Sequence, residues 1–409
     1  MSQVHILSLS KLPLVAGVFQ AIVAFSANLF LVRLLEPESF GMYALLLATI
    51  GIVQTIFSLR LNLQIIRYPE ERFSGEIKKM YFSAIVYEAV FLSALLMGTL
   101  MWFLELNETS FFITINIISL HIINNLKAFY ERTLDYKRLS IIEMLAQFTG
   151  HIISIILAVA GAGIAALYLR DFVIIIINIL GLFFLNGLYV VRPRILKLNN
   201  MIHIIKNGAG IWLDSALEGG FARLNLLIAG VIGGERGAGL YFQAQRLAFV
   251  PHQLVTPMVN RVAVNWFSRF DGEEGLSGER KLIINITGIF SFSIALVVLV
   301  SSDYVIPFIF GEKWRDVSPI LKSLSIFIAF VSISEIVKNF MIARHLNRVL
   351  IMMRLLQYAG LLLIIGIYHL LGDVNIISVS LGYSFAYLCS FFFGYGFLWM
   401  RDEKSNNHS

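Results

Sequence analysis

Leu34-Leu35-Glu36-Pro37-Glu38-Ser39-Phe40-Gly41-Met42-Tyr43 is a short polar turn set between two long apolar runs. A similar turn returns in the second half of the chain, where Gly233-Gly234-Glu235-Arg236-Gly237-Ala238 leads into Gly239-Leu240-Tyr241. The two Gly-[Met/Leu]-Tyr triplets lie 198 residues apart (41 to 239). A bilayer-crossing helix needs about 20 apolar residues, so each turn reads as the tight link between two spans. Working outward, apolar stretches fall at 12–32, 42–60, 81–103, 111–128, 143–161 and 165–185. The second half supplies 207–232, 239–260, 282–301, 320–337, 349–369 and 376–399. A second echo, Lys127-Ala128-Phe129 against Lys338-Asn339-Phe340, lies 211 residues apart (127 to 338). The expectation is an all-α polytopic membrane protein of about 12 transmembrane helices in two six-helix bundles. The bundles are expected at residues 1–200 and 201–400, with 401–409 a disordered cytoplasmic tail. An even number of spans gives the halves one orientation, related by an axis along the membrane normal, with a substrate site between them.

Composition agrees. Of 409 residues, 58% are hydrophobic and 14% charged, far from the balance of a soluble chain. With about 240 residues consumed by spans, the connections are too short for a sizeable soluble catalytic domain. The net charge of +6 comes from 32 basic and 26 acidic residues. In a soluble chain that balance suggests nucleic acid; here basic residues collect on one side of the membrane instead. One set of loops carries Arg60, Arg67, Arg72, Lys78, Lys79, Lys127, Arg132, Lys137 and Arg138 in the first half. It continues with Arg192, Arg194, Lys197, Lys206, Arg261, Arg269, Arg280, Lys281, Lys338, Arg344 and Arg348. The opposite loops hold only Arg33, Arg170, Arg236, Lys313 and Arg315. The positive-inside rule therefore sets both termini in the cytoplasm. The first apolar run is too long for a signal peptide and reads as an uncleaved span. The single cysteine, Cys389, forms no internal disulfide, and no constellation of metal ligands or phosphate-binding glycine loop is visible. No cofactor is expected.

The motifs resemble those of a known family. Leu34 to Tyr43 resembles the first-loop signature of Wzx-type polysaccharide exporters, and Glu131-Arg132 followed by Asp135-Tyr136-Lys137 is similar to the segment after their fourth span. Gly239-Leu240-Tyr241 with Ala244 and Pro251 resembles the eighth-span pattern, and Phe310-Gly311-Glu312-Lys313-Trp314 the outer loop after the ninth. This group shares a superfamily with lipid II flippases and multidrug-and-toxin (MATE) exporters. The resemblance implies flipping of an undecaprenyl-pyrophosphate-linked oligosaccharide, an O-antigen or capsule repeat unit, across a bacterial inner membrane by alternating access. It implies membrane lipid and polysaccharide assembly proteins as partners. One departure stands out: Asn225 occupies a place where many relatives carry an acid late in the seventh span, and acids come earlier, at Asp214 and Glu218.

Ionisable groups inside spans are costly and face a partner or a watery site. Asp214, Glu218 and Asn225 share one helical face, either binding a coupling H+ or Na+ and polar sugars or pairing with a neighbouring helix. Arg223 and Arg246 suit an anionic head group, because a guanidinium grips phosphate oxygens in a fork and stays charged when desolvated. Arg60 and Arg354, near cytoplasmic span ends, either receive the pyrophosphate first or snorkel to the interface. Glu143, Gln147 and His151 form one stripe on the fifth span, lining the site or joining helices. His121, with Asn124 and Asn125, reads the same way. Glu88 and Glu335 read as isolated acids, with Lys338 three residues after Glu335. Ser380, Ser384 and Tyr387 read as interhelical packing. A cation-coupled multidrug exporter is the nearest alternative function; a membrane glycosyltransferase would need a large outer region, and a non-transporting scaffold has no distinguishing motif.

Overall fold

Backbone polar groups inside a bilayer must be satisfied within the segment that carries them, which leaves helices as the economical answer for every apolar run. A computed structural model describes residues 3–104, 106–133, 136–186, 192–267, 276–344 and 346–406. The described residues hold thirteen α-helices: α1 Gln3–Leu34, α2 Pro37–Phe57, α3 Leu61–Arg67, α4 Gly75–Phe103, α5 Glu108–Arg132, α6 Tyr136–Val159, α7 Ala165–Asn186, α8 Leu198–Phe267, α9 Leu276–Phe310, α10 Val317–Ser323, α11 Ser325–Ala343, α12 Asn347–Leu370 and α13 Ile376–Asn406. Eleven of them are long and apolar enough to cross a membrane. The eleventh-versus-twelfth question is answered by α8. At 70 residues it would measure about 105 Å as one rod, over three times the hydrocarbon core. It breaks at Gly234, whose φ of 63° and ψ of −161° lie outside helical space. The arms 198–233 and 235–267 are the seventh and eighth expected spans, and the connection between them shrinks to this one glycine. Arg269 and Asp135, two residues of the sequence reading, lie outside the described residues.

Local chemistry sets the helix ends. Pro37 opens α2 at a position that needs no amide donor. Asn107 caps α5 in a reciprocal box with Ser110. Gly311 adopts φ 96° so that the chain can turn after α9 and bury Trp314 completely. At the other end of the chain, helix α13 runs on to Asn406, and Asp402 within it pairs with the buried Arg280 of α9. Residues 407–409 lie outside the described residues.

The chain divides into two compact units, Met1–Arg223 and Leu224–Ser409, the division falling inside the first arm of α8. In the first unit α6 packs against α1 and α7, α5 against α3, α4 and α7, and α2 against α4 and α5. In the second, α12 and α13 form the tightest pair, and α11 packs against α9, α12 and α13. Small residues permit these approaches, as they do generally between helices in lipid. A Cβ on Gly360 of α12 would sit 3.1 Å from the Cα of Ala386 on α13. Large apolar side chains such as Val90 and Phe91 of α4 or Ile289, Leu296 and Val300 of α9 stay exposed, as lipid-facing positions do.

Candidate functional site

The break between α2 and α3 positions the site in the first unit. Ser58, Leu59 and Arg60 interrupt what would otherwise be one helix, and none of them is glycine or proline. Arg60 takes φ 54° and ψ 43°, the sole left-handed non-glycine backbone among the described residues. That conformation costs about 1–2 kcal/mol for an L-residue, so its surroundings must enforce it. They do so through backbone anchors on both sides. Leu59 N–H donates to Glu88 Oε1 of α4 at 2.6 Å, and Asn62 N–H donates to Asn125 Oδ1 of α5 at 2.9 Å. Arg60 N–H donates to Ser58 Oγ at 3.2 Å, and Gln64 Nε2 donates to the Leu59 carbonyl at 2.9 Å.

Glu88 is therefore no isolated acid. It is 4% exposed and lies with its second carboxylate oxygen 3.4 Å from His121 Nε2. His121 in turn meets Gln54 of α2 through Nδ1 and Asn125 through Nε2, each at 3.0 Å. Three helices thus contribute one buried polar network whose members stand 34, 33 and 4 residues apart (54, 88, 121 and 125).

The first arm of α8 packs onto the same region through one stripe. A Cβ on Gly208 would meet Gln64, and one on Gly219 would meet Thr55 at 2.7 Å. Trp212 Nε1 donates to the Ile56 carbonyl at 2.6 Å. Four positions later than Gly219, Arg223 lies against Gly51, where an added Cβ would stand 2.5 Å from its Nε. Arg223 Nη1 donates to the Gly219 carbonyl at 3.0 Å. The two arginines come close enough for the charge of Arg60 to act on Arg223, and the carboxylates of Glu88 and Glu218 act on Arg60. Among the described residues neither guanidinium forms an ion pair, and Arg60 Nε is buried without a hydrogen-bond partner. Two half-buried guanidiniums thus lie in one region of the first unit, with the carboxylates of Glu88 and Glu218 within electrostatic reach of Arg60.

The remaining candidates are placed as follows. Asp214 and Glu218 share the first arm of α8 with Arg223, and both make interactions within the structure. Asn225 is fully buried in the second unit. Glu143 binds Lys127 Nζ at 2.7 Å, joining α6 to α5, while Gln147 is half-buried and His151 4% exposed on the same helix. Arg246 and Arg354 belong to the second unit, Arg354 is 4% exposed, and both are engaged with other groups. Glu335 binds Lys338 at 2.6 Å within one helix turn, and Ser384 Oγ donates to the Ser323 carbonyl at 2.7 Å across helices. Metal-ligand clusters of three or more side chains do not occur among the described residues.

Sequence reasoning missed Gln54, Thr55, Gly51 and Gly219, which carry no signal alone, and read Arg132 as a loop charge and as part of the motif after the fourth span. Arg132 Nη1 donates to the carbonyls of Ile65 at 2.8 Å and Tyr68 at 2.6 Å, and Nη2 binds Glu70 at 2.7 Å. Its guanidinium also stacks 4.0 Å over Phe73. This fork ties the end of α3 to α5, and lysine cannot reproduce it. Arg132→Lys is expected to lower thermal stability by several degrees in detergent, from the loss of about 1.5–3 kcal/mol of charge-assisted hydrogen bonding. An unchanged melting curve would refute the clamp.

A family model described as a polysaccharide biosynthesis protein matches residues 30–319. The chain is 25% identical over 308 residues to the lipopolysaccharide biosynthesis protein WzxC of Escherichia coli (strain K12), covering 72% of this chain and 61% of that one. It is 29% identical over 106 residues to the teichuronic acid biosynthesis protein TuaB of Bacillus subtilis (strain 168), covering 26% of this chain and 22% of that one. The chain thus spans less than two thirds of the length of either relative. Among solved structures, the inward closed lipid II flippase MurJ superposes with a TM-score of 0.77 at 13% identity, over 94% of this chain and 86% of that one. An inward-facing multidrug resistance MATE transporter superposes at 0.70 with 15% identity, over 95% and 96%. The chain shares the fold of these two structures.

Proposed function

The chain belongs to the polysaccharide biosynthesis protein family, and from that premise we propose that it is a flippase for a polyprenyl-pyrophosphate-linked oligosaccharide, working by alternating access in a bacterial inner membrane with both termini cytoplasmic. The observation that carries the proposal is the pair Arg60 and Arg223, held together without an ion pair where α2 breaks. A pyrophosphate offers several anionic oxygens to two forks and neutralises the charges that otherwise repel. The positive-inside reading places this end of α2 at the cytoplasmic face, where the lipid-linked substrate is loaded. The saccharide would follow the pyrophosphate into the protein while the polyprenyl chain stays in lipid. An anion leaving a negative cytoplasm gains about 2.3 kcal/mol per charge per 100 mV, so the membrane potential helps export.

The test is translocation in proteoliposomes that contain the purified chain and a fluorescent undecaprenyl-pyrophosphate oligosaccharide. Protection from an added glycan-cleaving enzyme reports the leaflet. Protein-dependent loss of protection supports the proposal. Export of cationic dyes without any movement of the glycan lipid would replace it with a multidrug exporter.

A further inference from the structure

The network behind Arg60 contains one titratable ring whose two protonation states make incompatible demands on its neighbours. Asn125 gives its oxygen to Asn62 N–H, so its amide nitrogen is the group facing His121 Nε2 at 3.0 Å. In the neutral ring, Nε2 therefore accepts from Asn125 and the proton sits on Nδ1; Gln54, placed with its amide nitrogen 3.0 Å from Nδ1, has to turn its amide over to accept that proton. A second proton on Nε2 faces a donor that cannot turn round without releasing Asn62. It also faces Glu88 Oε2, 3.4 Å away, buried and without a hydrogen-bond partner. Protonation moves the ring from Asn125 toward Glu88. The first group anchors Asn62 and the second anchors Leu59, the backbone positions that bracket Arg60.

We propose that Glu88 and His121 form the proton-binding site of this transporter, and that a proton bound there readies the Arg60–Arg223 pair for its anion. The inference rests on the flippase reading. The proton adds a positive charge beside the arginines and draws Glu88 away from Arg60, so proton and pyrophosphate favour each other's binding. Other charges on the packed elements are Arg60 itself, Glu218 and Arg223 on the first arm of α8, and Asp214 further along it. On α5, Lys127 is held by Glu143 of α6 and Arg132 by Glu70. On α7, Arg170 and Asp171 bind each other and Tyr43. Glu76 and Lys79 pair at the start of α4. Glu88 is thereby the acid that holds the backbone of the α2–α3 break, and His121 the base that touches both Glu88 and Asn125, the second anchor.

Two measurements on the full-length chain in detergent test this. The first is calorimetric titration with undecaprenyl pyrophosphate in buffers of different ionisation enthalpy. Binding is expected to take up close to one proton, with affinity falling about tenfold between about pH 6 and 8. His121→Gln keeps hydrogen-bonding groups but cannot titrate, and it should bind with a flat pH profile; Glu88→Gln should flatten it in part. A purely structural role would instead weaken binding equally at every pH. Lipid bound without proton uptake, or uptake surviving in His121→Gln, overturns the inference and leaves the flippase reading standing; no binding at any pH removes that reading. The second measurement needs no lipid. Deuterium exchange at residues 58–62 in wild type, compared with His121→Gln at the same pH, should differ between about pH 5.5 and 8, and identical exchange overturns the inference by itself.

Discussion

Replacing Arg60 and Arg223 together by alanine is expected to reduce glycan-lipid translocation at least about hundredfold while leaving the melting curve close to wild type. A charge-assisted hydrogen bond is worth about 1.5–3 kcal/mol, and the double change removes two forks from one anion. Stability should be largely spared because neither guanidinium closes an ion pair, and removing the repulsion between them offsets the lost attraction of Arg60 to Glu88 and Glu218. Arg60→Gly is informative beside it, since glycine tolerates the left-handed backbone that arginine adopts at φ 54°. That variant is expected to gain stability and lose transport. Gly51→Ala offers a third route, because its Cβ would stand 2.5 Å from Arg223 Nε and push the side chain aside without removing its charge. Arg223→Lys should retain part of the activity, with the charge kept and the fork lost. Full translocation in the double alanine variant would discard this pair as the pyrophosphate site.

The second large effect is expected in the other unit. Arg280 is 2% exposed, pairs with Asp402 of α13 and stacks 4.5 Å over Phe340 of α11, so one side chain of α9 joins three helices. Arg280→Ala would leave a carboxylate in a poorly hydrated place without its counter-charge. Losing one partner of a buried pair costs about 3–5 kcal/mol, which corresponds to a fall in melting temperature on the order of 10 °C. The double variant Arg280→Met/Asp402→Leu should recover most of that loss, because two apolar groups leave no charge uncompensated. A fall of less than about 2 °C for Arg280→Ala would show that water reaches Asp402 and that the pair contributes little.

How legible each feature was follows from the range of the interaction behind it. The polar turns before Gly41 to Tyr43 and Gly239 to Tyr241 mark helix boundaries through local chemistry, and both tyrosines are buried. Residues 401–406 look like a polar end, and the pairing of Asp402 with Arg280, over a hundred positions away, leaves no mark in the sequence. Glu88 looked isolated because its partners, Leu59 and His121, are 29 and 33 residues distant (59, 88 and 121). The break at Ser58 to Arg60 left no glycine or proline as a marker, since other helices enforce it.

By itself, then, the sequence determined that this is a multi-pass helical membrane protein, roughly where its spans lie, and which residue types stand inside them. Hydropathy is a sum over neighbours in the chain, and lipid permits few alternatives to a helix, so no tertiary information was needed. Tertiary structure alone decided which arginines stand together, which acid holds the α2–α3 break, and which histidine lies against that acid. Those pairings depend on how each helix is rotated and shifted against the next, and small residues such as Gly51, Gly208 and Gly219 set that register through contacts between helices that no spacing along one helix records.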